Sequence, residues 1–82
     1  MDLALLFNKE WYIIEIKIIS DHASAETVRQ KGLEQIRRYR DRFMKVRATV
    51  LAIFDRRERS KVLSWDEKIS HETDSDVEIF WQ

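Results

Sequence analysis

Apolar and polar residues at the start of the chain are arranged as in two short β-strands joined by a turn. Residues 2 to 7 and 11 to 18 are mostly apolar, and three polar residues separate them: Asn8, Lys9 and Glu10. Two apolar runs flanking a short polar segment are typical of a β-hairpin. We therefore expect an N-terminal hairpin.

The length of the turn decides which side chains share a face of this hairpin. A two-residue loop at Asn8 and Lys9 would place Asp2 opposite Glu15, and a four-residue loop would place it opposite Lys17. A three-residue loop would send Asp2 to the other face, because a slip of one residue inverts the side-chain pattern. In both even-length registers the three charged residues cluster, with opposed Cβ atoms about 5 Å apart.

Two charged residues interrupt the second predicted strand. Because side chains alternate across a strand, Glu15 and Lys17 point the same way, and an apolar row occupies the other face: Tyr12, Ile14, Ile16 and Ile18. A charge inside a buried strand is costly unless it is paired, hydrogen-bonded or bound to a metal. The pair is either a structural ion pair or half of a metal-dependent catalytic site.

Residues 23 to 43 show helical periodicity. The apolar stripe follows steps of three and four: Val28, Gly32, Ile36, Tyr39 and Phe43. Ser24 or Asp21 is a candidate N-cap. Gly32 costs a helix about 1 kcal/mol relative to alanine, so its place in the stripe predicts close packing on the sheet.

The rest of the chain completes a mixed sheet. Residues 46 to 54 form a nearly continuous apolar run, which predicts a central strand covered on both faces. Strand, long helix and strand make a crossover unit, so the second and third strands should be parallel. Residues 55 to 61 are interpreted as a loop, 62 to 69 are ambiguous, 70 to 76 are a polar connector, and 77 to 81 are a closing strand.

The predicted fold is therefore α/β: a mixed β-sheet with an N-terminal hairpin, one long amphipathic crossover helix and further strands. With 82 residues, 1 to 82 should form a single small domain. The absence of cysteine excludes disulfides and thiolate metal sites, and His22 and His71, without ligand spacing, are assigned to loops. No membrane span or signal peptide is apparent, and we expect a cytoplasmic location without membrane attachment.

The net charge of zero conceals an uneven distribution. Residues 29 to 47 contain eight basic and two acidic residues, whereas residues 66 to 78 contain six acidic residues and one lysine. A basic band attracts nucleic acid phosphates, or it is only a solvated helix face. The acidic segment is able to mask this band or to pair with it.

The order of these residues resembles the PD-(D/E)XK nuclease superfamily, over roughly residues 2 to 54. Asp2 precedes the Glu15-x-Lys17 motif by one strand, and Gln35-Ile-Arg-Arg-Tyr39 is similar to the Gln-x-x-x-Tyr motif of the RecB-like branch. The segment GLEQIRRYRDRF also resembles helices of nuclease-like domains found at the end of some AAA-type ATPase proteins. The implied fold is a restriction-endonuclease-like core.

The resemblance implies a role for each of these residues. Asp2, Glu15 and the backbone carbonyl of Ile16 would bind Mg²⁺ or Mn²⁺, and Lys17 would orient or deprotonate the attacking water or stabilise the transition state. Gln35 and Tyr39 would contact substrate or position the lysine. Four arginines of the helix would contact DNA phosphates: Arg37, Arg38, Arg40 and Arg42.

The sequence also departs from this family. Its usual N-terminal helix has no room before Asp2, which predicts a fragment, a domain completed by a partner such as a second copy in a homodimer, or an inactive descendant. The first hypothesis is metal-dependent hydrolysis of DNA. The alternatives are a catalytically degenerate module for nucleic-acid binding or dimerisation, and a small interaction domain in which Glu15 and Lys17 form a salt bridge.

Overall fold

A computed structural model of the protein describes residues 2–20, 23–56 and 70–82. Within these residues the fold is a small α/β domain with one helix and a mixed five-stranded sheet, in the order β1-β2-β3-β5-β4. The elements are β1 (Asp2–Phe7), β2 (Glu10–Ile19), α1 (Ala25–Arg40), β3 (Val46–Asp55), β4 (Ser70–Asp74) and β5 (Val77–Trp81).

The N-terminal hairpin has the two-residue loop. Asn8 and Lys9 have φ angles of 51° and 65°, and positive φ at both loop residues is the signature of a type I′ turn. Phe7 is paired with Glu10, and the register carries through to the far end of β1. The predicted hairpin is confirmed, and Asp2 lies opposite Glu15 as the two-residue loop requires.

The crossover unit is also confirmed. Helix α1 connects β2 to β3, and these two strands are parallel. β3 is the middle strand of the sheet and pairs with β5 on its other side, again in parallel. β1 and β4 are the two edge strands and each is antiparallel to its neighbour.

The prediction of a polar connector over residues 70 to 76 is wrong. Ser70–Asp74 is β4, which pairs with β5 through a turn at Ser75 and Asp76, so His71 belongs to a strand and not to a loop. An edge strand needs no apolar pattern when its polar side chains form hydrogen bonds or ion pairs. Asp74 of β4 forms such an ion pair with Arg37 of α1. The loop predicted over residues 55 to 61 begins one residue too early, because Asp55 is the last residue of β3. The interpretations of residues 57–69 as loop and ambiguous segment, and those of Asp21 and His22, lie outside the described residues.

Helix α1 begins at Ala25, directly after Ser24, which is one of the two candidate N-caps. Ser24 has extended backbone, and its Oγ accepts a hydrogen bond of 3.1 Å from the backbone N–H of Thr27. The helix ends at Arg40, three residues before the predicted end at position 43. Among the described residues, no helix is long and apolar enough to cross a membrane.

The core lies between α1 and one face of the sheet. Its fully buried apolar residues come from four elements: Ile13, Ile19, Leu33, Ile36, Leu51, Ile53, Val77 and Ile79. At Gly32 a Cβ atom would lie 2.8 Å from Cδ1 of Leu51. The helix therefore contacts the sheet at its glycine, as the sequence predicts.

The opposite face of the sheet is more open than expected. β3 was predicted to be covered on both faces, yet no described helix or strand lies across the face away from α1. Leu5, Phe7 and Ile18 point to that face and are 54%, 64% and 61% exposed. On β3 itself, Val50, Ala52 and Phe54 lie on this face and are half-buried, and among the described elements only α1 covers β3, on the other face.

Candidate active site

An open cavity of about 270 Å³ lies where strands β1 and β2 meet the C-terminal half of α1. Its lining combines residues that are far apart in sequence: Asp2, Glu15, Lys17, Gln35, Arg38, Tyr39 and Arg42. These include every side chain that the sequence assigns to the site except two arginines. The structure therefore brings most of the predicted site together.

Glu15 and Lys17 lie on the face of β2 that packs against the helix. Their row also contains Ile13 and Ile19, both fully buried. The Glu15 side chain is 1% exposed and that of Lys17 is 24% exposed, and Lys17 Nζ lies 3.5 Å from Glu15 Oε1. The charged pair therefore interrupts the core row itself, where desolvation makes charges costly.

Gly32 determines how closely the helix approaches this pair. A Cβ atom at Gly32 would lie 3.4 Å from Cγ of Lys17, so the stem of the lysine passes directly beneath the glycine. Gln35 and Tyr39 follow roughly one and two turns later. Gln35 and Tyr39 thus line the same cavity as Lys17.

Asp2 completes the acidic side of the cavity. It is exposed at the start of β1 and is paired with Glu15 across the hairpin, a position that puts the two Cβ atoms about 5 Å apart. The available donors are oxygens, which suit Mg²⁺ or Mn²⁺. No group of three or more His, Asp or Glu side chains in the described part of the chain is arranged to hold a metal ion. The carboxylates of Asp2 and Glu15 suit Mg²⁺, which usually keeps waters and binds substrate phosphate alongside one or two carboxylates. Ile16, whose carbonyl is the third predicted ligand, is not among the residues that line the cavity.

An aromatic cluster supports the wall of the cavity, and sequence analysis did not identify it. The rings of Tyr39 and Phe43 meet edge to face at 5.2 Å, and Phe43 packs at 4.6 Å on Trp11 at the start of β2. The guanidinium of Arg42 lies 5.8 Å from the centroid of the Tyr39 ring. The spacing of Tyr39 and Phe43 by four residues was the available signal, but the contact with Trp11 depends on the fold.

Arg37 and Arg40 lie away from this cavity, on the side of α1 that faces the β4–β5 hairpin. Arg37 Nη2 lies 2.6 Å from Asp74 Oδ1, and Arg40 pairs with Asp76. Arg29 joins the same network: its Nη2 lies 2.8 Å from Asp74 Oδ2. Of the four arginines predicted to contact phosphate, only Arg38 and Arg42 line the cavity.

These ion pairs affect titration on the hairpin. Hydrogen bonds from Arg37 and Arg29 hold the pKa of Asp74 below its usual range. Arg29 lowers the pKa of Glu72, to which its Nε donates a hydrogen bond of 2.7 Å, and Arg40 lowers that of Asp76. The acidic segment thus pairs with one side of the basic helix, which was one of the two roles expected for it.

Comparison of the chain with protein-family models, with curated proteins and with solved structures finds no match. A functional assignment therefore depends on the geometry of the cavity and on the motif resemblance.

Proposed function

We propose that this chain is a PD-(D/E)XK-type nuclease domain that hydrolyses DNA phosphodiester bonds with Mg²⁺ or Mn²⁺. The observation that carries the proposal is the shared cavity of Asp2, Glu15, Lys17, Gln35 and Tyr39, which come from three different elements. A Glu-x-Lys motif that occurred by chance would not be expected to coincide with a carboxylate across the hairpin and with both helix residues.

The charges of the cavity suit a phosphodiester. Three cationic side chains, Lys17, Arg38 and Arg42, face the carboxylates of Asp2 and Glu15. These side chains alone carry one excess positive charge, and a bound divalent ion would add two more, so the cavity favours a negatively charged ligand. Preorganised cations near a phosphoryl group also stabilise the negative charge that develops in the transition state.

Each residue then has a specific task. Asp2, Glu15 and the Ile16 carbonyl would hold the metal ion, which supplies electrostatic stabilisation and a more acidic water. Glu15 positions the Lys17 ammonium, 3.5 Å away, and Lys17 contacts a phosphate oxygen or the attacking water. Tyr39, supported by its aromatic neighbours, holds Arg42 at the mouth of the cavity, where its guanidinium is suited to phosphate.

A second candidate is a degenerate nuclease-like module that binds nucleic acid or dimerises without cleavage. The specific observation in its favour is that the buried Glu15 carboxylate lies 3.5 Å from the Lys17 ammonium, so its charge has a partner without a metal ion. The exposed apolar residues Leu5 and Phe7 on edge strand β1 would suit a dimer contact.

Cleavage of single- and double-stranded DNA with Mg²⁺ or Mn²⁺ tests the proposal. Glu15→Gln and Lys17→Met remove the charges and nearly preserve side-chain shape, so the packing beneath Gly32 is retained. Glu26→Gln and Lys9→Met are matched controls. They remove the same charges from exposed residues that do not line the cavity.

The native chain and both controls should cleave, and the two cavity variants should be slower by about 10²- to 10⁴-fold, as expected for removal of a positioned catalytic group. Cleavage at the native rate by both cavity variants would contradict the proposed site. If the native chain binds DNA in a salt-sensitive way but does not cleave, the degenerate module replaces the nuclease as the better account.

A further inference from the structure

Helix α1 carries basic residues along two sides, and the two sides have different surroundings. We define the cavity row as Lys31, Arg38 and Arg42 and the hairpin row as Arg29, Arg37 and Arg40. Lys31, Gln35 and Arg38 are spaced by four and three residues, which places them along one side of α1. Arg42, in the turn two residues after the end of α1, continues this row at the cavity. Three of these four residues line the cavity, and Lys31 extends their row as an exposed residue.

Each arginine of the hairpin row is already paired with a carboxylate of the β4–β5 hairpin. Asp74 bridges two of them, at 2.8 Å from Arg29 and 2.6 Å from Arg37. Arg29 also contacts Glu72 at 2.7 Å, and Arg40 pairs with Asp76. Three carboxylates thus oppose three arginines, and this side of the helix presents no net positive charge to a ligand.

A phosphate would have to displace these carboxylates to reach the hairpin row. Charge-assisted hydrogen bonds between guanidinium and carboxylate are about twice as strong as neutral ones. At physiological salt, the influence of exposed charges is largely screened beyond about 8 Å. Neutralised arginines therefore add little attraction for a polyanion, whereas the cavity row retains its attraction.

We infer that nucleic acid contacts α1 along the cavity row only, with Lys31 as an additional phosphate contact, and that the hairpin carboxylates prevent phosphate binding on the other side. The inference rests on the proposed function, because it specifies how that substrate lies over the cavity. Lys31 and Arg38 are about 10 Å apart along the helix axis, so they can contact two different phosphates of one strand. The backbone would then run along α1 and into the cavity.

The salt dependence of DNA binding in EDTA tests this inference without cleavage. Arg37 and Arg38 are adjacent residues of the same type on different sides of the helix, so Arg37→Gln is the matched control for Arg38→Gln. Each lost phosphate contact lowers the slope of log K against log salt by about 0.9 for duplex DNA. Arg38→Gln and Lys31→Gln should each lower the slope by about this amount, and Arg37→Gln should leave it unchanged.

Asp74→Asn provides an independent arm, because it releases Arg37, whereas Arg29 keeps its ion pair with Glu72. The slope for Asp74→Asn should therefore rise by about 0.9, the value for one phosphate contact. Glu78→Gln makes the same charge change on the same hairpin, beside His71, and should not raise the slope. Circular dichroism establishes that each variant is folded. Equal slopes for Arg37→Gln and Arg38→Gln, or an unchanged slope for Asp74→Asn, would overturn the inference even if the native chain cleaves DNA. Binding as inferred without cleavage would contradict only the nuclease proposal.

Discussion

Replacing Gly32 by alanine should destabilise the domain, although the same change stabilises most helices. Alanine is favoured over glycine by about 1 kcal/mol in a helix interior. The added Cβ, however, would lie 2.8 Å and 3.0 Å from the two terminal carbons of Leu51, a side chain that is fully buried. Overpacking a core typically costs about 1 to 3 kcal/mol. The expected net loss of unfolding free energy is about 1 kcal/mol.

Urea denaturation of the native chain and Gly32→Ala measures this loss, and melting temperature should fall by about 4 to 8 °C per kcal/mol for a domain of this size. Leu51→Ala is the partner in a double-mutant cycle. Alone, it should cost about 2 to 5 kcal/mol. In the Gly32→Ala background it should cost about 1 kcal/mol less, because the new methyl group enters the space that Leu51 vacates.

Stabilisation of the domain by Gly32→Ala would refute this reasoning, because it would mean that α1 does not pack closely on β3 at that point. Additivity of the two substitutions would also contradict it. Gln30→Ala is a suitable control, since Gln30 is an exposed residue of the same helix. Its effect should stay within about 0.5 kcal/mol.

Three further predictions concern parts of the fold that position the cavity. Ser24→Ala removes the N-cap hydrogen bond of α1 and should cost about 1 kcal/mol in urea denaturation, and no loss would contradict the capping role. Lys9→Gly relieves a left-handed residue in the hairpin turn and should stabilise the domain by about 0.5 kcal/mol, whereas destabilisation would contradict the turn geometry. Arg37 and Arg29 hold the pKa of Asp74 in the folded state below its ordinary value of 3.8. The ion pairs of Asp74 therefore stabilise the domain fully above pH 3.8, and this stabilisation is lost as the pH falls through the folded-state pKa. Asp74→Asn should therefore lose less stability on acidification than the native chain, and an equal loss would contradict the pairing.

Local patterns were sufficient to predict the elements that build the cavity. The hairpin register depends only on a two-residue loop at Asn8 and Lys9, and once that loop is given, strand alternation places Asp2 opposite Glu15. Helical periodicity likewise predicted that Gln35 and Tyr39, four residues apart, lie on the same side of α1. The glycine within the apolar stripe predicted close packing, because a helix interior otherwise disfavours glycine.

The remaining features depend on contacts between distant segments. β4 has no apolar alternation, and its polar side chains find their partners on a helix more than 40 residues earlier: Glu72 and Asp74 both contact Arg29. The ion pairs with the β4–β5 hairpin also distinguish the hairpin row from the cavity row. The amino-acid composition of the helix does not reveal this difference. The contact between Trp11 and Phe43 also arises only when β2 and the end of α1 meet.

The rate of DNA cleavage by Lys17→Met, compared with the native chain and Lys9→Met at saturating Mg²⁺, tests the central claim most directly. Lys17 occupies the cavity beneath Gly32, and Lys9 lies at the far end of the β1–β2 hairpin. The account predicts that Lys9→Met cleaves at the native rate and that Lys17→Met is slower by at least about 10²-fold while remaining folded. Equal rates for all three proteins would contradict the assignment of this cavity as a nuclease site.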